Sequence, residues 1–283
     1  MRIFRFIGYF SQLREFGGVK AACAFTLTFL WIKVNPPRGG KLARIPVGPY
    51  HFYFPSIDYF VGLFTEIFFK ESYYILPTNA PIQVIDCGAN IGVSLLYIKL
   101  RAPHARVRCF EPNPAACAVL QKNIDANNWG SDVQVLPYAL GKEKGTVEFF
   151  VENKEATSSG GSVASYLGKK GRTLNSYTVE VDTLSPHIGN GVDLLKMDIE
   201  GGEFDVLDEL IATGTLARVA TMQLEYHFIP GFFTRPLSAV LTQLEQNGFH
   251  TFVQPTAPPH QVVGHETPHA YMIFAWREQN KSR

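Results

Sequence analysis

Residues 82–114, "IQVIDCGANIGVSLLYIKLRAPHARVRCFEPNP", leave few ways to fold. An apolar run without alternation reads as a strand buried on both faces, and Gly88 and Gly92 turn it directly into the next element. Val93, Leu96, Tyr97 and Leu100 recur at helical spacing, and "ARVRCFEP" is a second buried strand. Two such strands joined by one helix lie parallel with a right-handed crossover. The alternation then repeats. Asn113 caps a helix with Pro114 in its first turn, "DVQVLPYAL", "GTVEFFV" and "YTVEVDTL" follow as strands, and "VDLLKMDI" leads to a helix striped by Phe204, Leu207 and Ile211. "VATMQLEYH" precedes a helix opened by Pro236 and stopped at Gly248, and "FHTFVQ" and "HAYMIFAW" close the chain with no helix between them. The expected class is α/β: a doubly wound, mostly parallel sheet with an antiparallel edge strand, preceded by an N-terminal helical arm.

The glycine turn carries the first functional expectation. A strand ending at Asp86, a turn through Gly88, Ala89, Asn90 and Gly92, and a helix behind it bring a ligand close to backbone N–H groups. Glu111 ends the next strand, 23 residues after Gly88, where an acid holds the ribose hydroxyls of an adenosine ligand. A dinucleotide fingerprint requires glycines at the first, third and sixth positions, and here these are Gly88, Asn90 and Val93. A nicotinamide-dependent oxidoreductase is therefore the weaker alternative.

With "FEPNP", "KNIDANN" and "LLKMDIEGGEFDVL" added to "DCGANIG", residues 45–275 resemble the FkbM-type family of S-adenosylmethionine-dependent methyltransferases, "DIEGGE" being the specific element. The resemblance implies a class I methyltransferase (Rossmann-like) fold. It places Asp86, Gly88, Ala89, Asn90 and Gly92 along the methionine side of S-adenosylmethionine and Glu111 at the ribose. Tyr138, Ala139, Leu140 and Asp198 are then expected near the cofactor. Ser185 follows Leu184 where the family carries an acid.

Asp198 and Glu200 follow an apolar strand, and an extended chain would point both the same way, as it would Glu225 and His227. In the implied fold these strands are neighbours, so four polar groups meet at one rim. Transfer to a hydroxyl needs a proton acceptor, for which His227 is the first choice and Glu200 the second. Carboxylates with one imidazole also suit Mg²⁺ or Mn²⁺, a compatible reading that is not the favoured one. Glu203 and Asp205, early in the next helix, read as structural.

The expected activity is O-methylation of a small-molecule or glycan/glycolipid-type acceptor. A chain of 283 residues needs neither disulfide nor metal for its core, and four cysteines without a CxxC pair read as reduced thiols in a cytoplasmic protein. Residues 1–44 carry eight Lys/Arg against Glu15 alone. Ile3, Phe6, Ile7 and Phe10 recur at helical spacing among Arg2, Arg5 and Arg14, the pattern of a helix packed on its own domain or lying on an anionic membrane. "AACAFTLTFLWI" is too short to span a bilayer and reads as a buried or interfacial helix. A non-catalytic membrane-surface module with a vestigial nucleotide fold is a further alternative. No basic stripe in the body suits a nucleic acid. The expected organisation is an arm over 1–44, a hairpin-and-helix segment over 45–80, the Rossmann-like domain over 81–277 and a tail over 278–283, with 152–176 as a lid or an unstructured stretch.

Overall fold

A computed structural model describes residues 13–37, 40–151, 161–162, 174–228, 235–256 and 269–278. The expected helix over the first residues and most of the 152–176 stretch lie outside them. The chain runs α1 (Gly18–Val34), β1 (Ala43–Val47), β2 (Tyr50–Phe54), α2 (Ile57–Phe69), β3 (Gln83–Cys87), α3 (Val93–Arg101), β4 (Arg106–Phe110) and α4 (Pro114–Ala126). It continues through β5 (Val133–Leu136), β6 (Ala139–Leu140), β7 (Gly145–Val151), β8 (Gly161–Ser162), β9 (Asn175–Asp182), α5 (Ser185–Ile188), β10 (Val192–Met197) and α6 (Glu203–Ala212). A short 3-10 turn leads to β11 (Val219–Phe228), α7 (Leu237–Gln246), β12 (His250–Pro255) and β13 (His269–Trp276).

The main sheet has seven strands in the order β12-β13-β11-β10-β3-β4-β5. β5, β4, β3, β10 and β11 are mutually parallel, and β13 runs antiparallel to both its neighbours. The reversed strand thus lies one place inside the edge. Val84, Ile85, Val107, Cys109, Leu194 and Leu195 are buried, as expected of strands covered on both faces. Asn113 caps α4 as expected, its side chain accepting from the backbone N–H of Ala115 and Ala116.

One expected strand divides. Pro137, which has no N–H to give a ladder, interrupts "DVQVLPYAL" after Leu136, and Ala139–Leu140 pairs instead with β9. β6, β9, β7 and β8 form a second, four-stranded sheet, so the two strands read between β5 and β10 lie outside the main one. The expected hairpin is present, with Val47 opposite Tyr50 across Gly48-Pro49. It is held by one asparagine of α4 and by the asparagine that ends that helix. Asn123 accepts from the Tyr53 N–H at 2.7 Å and donates to the Tyr53 carbonyl at 3.0 Å, and Asn127 treats His51 the same way at 2.9 and 2.8 Å. Each amide stands in for a strand neighbour along the β2 edge.

Candidate active site

β3 ends against a turn that only glycine fits at Gly88. Its φ is +80°, and a Cβ there would lie 1.8 Å from the Asp198 carbonyl oxygen, so the backbone after β10 passes directly behind the turn. Asn90 also has positive φ, +52°. Its Oδ1 accepts from the Ile91 N–H at 2.7 Å and from the Tyr59 hydroxyl at 2.5 Å, which offsets the strain locally.

Glu111 closes the other side of the turn. Its two oxygens accept the N–H groups of Asn90 and Asn113, each at 2.8 Å. Burial raises its pKa to about 7, with these two N–H bonds opposing the rise. Behind the wall, Lys196 lies inside β10 with its ammonium 3.1 Å from Asp86 and 2.7 Å from the Gly88 carbonyl. Burial opposes that charge, but Asp86 and Asp198 outweigh it and hold the ammonium more tightly protonated than a free lysine. Asp86 also accepts from the Ser94 hydroxyl at 2.6 Å and is fully buried.

Beyond Met197 the chain is no longer a strand, so Asp198 and Glu200 do not align by the alternation of an extended segment. A left-handed turn at Glu200, φ +56°, makes them converge instead. Glu203, fully buried at the start of α6, pins this loop by accepting from Ile199 N–H at 3.0 Å and Gly201 N–H at 2.9 Å. The same carboxylate meets His227 Nδ1 at 3.0 Å. His227 Nε2 lies 3.6 Å from Glu200 and 3.8 Å from Glu225. Burial disfavours the imidazolium, yet Glu203, Glu200 and Glu225 together hold it charged. A charged imidazole has no lone pair for a proton, which argues against the first choice of base and shifts attention to the carboxylates around it.

These groups surround a cavity of about 640 Å³ above the carboxyl ends of β3, β4, β10 and β11. Of the residues expected from the sequence, Gly88, Ala89, Asn90, Glu111, Ala139, Asp198 and Glu200 line it. Asp86, Gly92 and His227 do not: Asp86 supports Lys196, Gly92 sets the N-terminus of α3, and His227 braces the acidic loop. Sequence reasoning missed the α2 wall. Tyr59, Glu66 and Lys70 face the cavity from that helix or its end, and Tyr73 beyond it donates to Asp198 at 2.9 Å. Two charges four residues apart in an apolar helix were the available signal. Burial, then the charge of Asp198, raises the Glu66 and Glu225 carboxyls above the usual range. One ligand atom each from Asp198, Glu200 and His227 falls within 4.8 Å of the others, a spacing compatible with a divalent ion.

The strand order, read outward from β3, together with a cleft at the carboxyl ends where the order reverses, defines a class I, Rossmann-like methyltransferase fold. The chain belongs to the FkbM methyltransferase family, whose domain pattern, "Methyltransferase FkbM domain", matches residues 86–251. That membership leaves the oxidoreductase alternative without support. Methyltransferase 1 of Beauveria bassiana (strain ARSEF 2860) is 30% identical over 159 residues, 50% of this chain and 64% of that protein. Methyltransferase sdnD of Sordaria araneosa is 30% identical over 174 residues, 51% and 66% of the two chains. The chain thus spans just under two thirds of the length of either relative. 2-O-methyltransferase NoeI of Sinorhizobium fredii (strain NBRC 101917 / NGR234) is 24% identical over 138 residues, 44% of this chain and 55% of that protein.

Proposed function

We propose that this protein methylates a hydroxyl oxygen of a small-molecule or glycan-type acceptor, using S-adenosylmethionine. The observation that carries the reading is the division of the cavity. Over β3 and β4 it offers a glycine turn and the Glu111 carboxylate; over β10 and β11 it offers Asp198, Glu200 and Glu225. The first half fits a nucleoside. Each Glu111 oxygen holds one backbone N–H and has a second acceptor direction for a ribose hydroxyl, while Gly88 lets a ligand approach the backbone without a side chain between. The second half fits positive charge beside an alcohol. S-adenosylmethionine supplies, when bound, a methyl group on a sulfonium whose leaving group is neutral. The chain's own work is then to align the acceptor, exclude water and remove one proton.

Glu200 is the residue assigned to take that proton, and the charged His227 keeps it placed. O-methylation draws support from NoeI, whose name specifies 2-O-methyl transfer. A divalent ion on Asp198, Glu200 and His227 is the second reading, and it requires the imidazolium to release its proton. Calorimetric titration with Mg²⁺ in the presence of S-adenosylhomocysteine separates the two: the proton reading predicts no heat and no change in rate. S-adenosylhomocysteine titrated alone tests the cofactor. One site per chain is expected, and absence of binding would remove the reading.

A further inference from the structure

The 17 residues of α1 are almost wholly apolar, yet among the described residues only one side of the helix is covered. Ala22, Phe25 and Ile32 are buried, and Phe25 packs on Phe64 of α2 with ring centroids 5.3 Å apart. At about 3.6 residues per turn the opposite side presents Val19, Leu27, Leu30, Trp31 and Val34. Leu27 is 68% exposed, Trp31 64% and Val34 79%. A helix apolar on both sides lacks the polar face that water would cover.

Charge identifies the occupant. Lys20 and Lys33 flank the apolar stripe, and Arg14, Lys41 and Arg44 lie on the same N-terminal segment. Glu15 is its one acid, and Glu15 is opposed by Arg101 at 3.7 Å. A second copy would set like charge against like, whereas an anionic phospholipid surface offers both counter-charge and an apolar interior. We propose that the outward face of α1 seats the protein on an anionic lipid surface, with Leu27, Trp31 and Val34 entering the headgroup boundary. The helix lies along that surface. Seventeen residues reach about 26 Å, short of the roughly 30 Å hydrocarbon core, and no described helix is long and apolar enough to cross a membrane. α1 packs on α2, whose Tyr59 and Glu66 line the cleft, so the seat adjoins the site without depending on what is methylated there.

The full chain is mixed with phosphatidylcholine vesicles, with or without phosphatidylglycerol, and co-sedimentation is measured. Binding is expected only to the anionic vesicles. Brominated acyl chains should then quench emission from Trp31, while the buried Trp129 is unaffected; the quenching disappears in Trp31→Phe. Leu27→Glu combined with Val34→Glu should weaken binding about tenfold or more and leave thermal stability and S-adenosylhomocysteine affinity unchanged. Failure to bind anionic vesicles, unchanged binding by the double variant, or bound protein with Trp31 unquenched would each overturn the proposal. So would shielding of Trp31 from aqueous iodide in the absence of lipid, which would mean that a second copy or residues 1–12 already cover the face.

Discussion

The role proposed for Glu111 conflicts with its surroundings. As a carboxylate it suits ribose hydroxyls, yet at 6% exposure burial favours its neutral form, and two backbone N–H bonds recover only part of the loss. Its folded value of about 7 lies above the unfolded carboxyl range, so its contribution to stability is fully present below about pH 4.5 and is lost as pH rises through 7. Glu111→Gln should therefore flatten the stability profile between pH 5 and 8, by an amount of order 3 kcal/mol, measured by denaturant titration. Cofactor affinity should run the opposite way. S-adenosylhomocysteine should bind more tightly as pH rises through 7, and Glu111→Ala should weaken it by about 1.5–3 kcal/mol at pH 8, read by calorimetry. Glu200→Gln should lower kcat about 10²- to 10⁴-fold with cofactor affinity retained. A drop of that size for His227→Gln with no effect of Glu200→Gln would return the base to the imidazole.

At the scale of elements, the loop between β10 and α6 and the hairpin on α4 show where pattern reading stops. The run "LLKM" gives its strand by hydrophobicity alone, and Gly88 and Glu111 mark the turn and strand end proposed for the nucleoside because strand ends and turns have local signatures. Glu203 has no such signature. Its place early in a helix suggested dipole stabilisation, whereas its side chain folds back onto the Ile199 and Gly201 N–H groups and reaches His227, a contact made across 24 positions. Asn123 is similar: the sequence marks it only as part of "KNIDANN", with no sign of its partner, but it is fully buried and completes the edge of β2, 70 positions away. The second sheet was hidden for a different reason, since Pro137 redirects the chain without changing the apolar pattern around it. Asn123→Ala leaves the Tyr53 N–H and the Tyr53 and Ile91 carbonyls without this partner, and should destabilise the protein by about 2–3 kcal/mol in thermal or denaturant unfolding.

Across the whole molecule, the sheet brings the half proposed for the nucleoside and an acidic half to one cleft through the order β11-β10-β3-β4, and α2 covers it from the side. The N-terminal elements are part of that cleft. Tyr59 reaches Asn90, Tyr73 reaches Asp198, and α1 supports α2 from behind through Phe25. A fold of this class leaves the acceptor to such added walls, which is why the glycine turn was legible while Glu66 and Lys70 were not. The most direct measurement is a crystal structure with S-adenosylhomocysteine. The ribose hydroxyls should lie within hydrogen-bond distance of Glu111 and the sulfur should face Asp198 and Glu200; density for the ligand in any other position, or none at saturating concentration, would contradict the account.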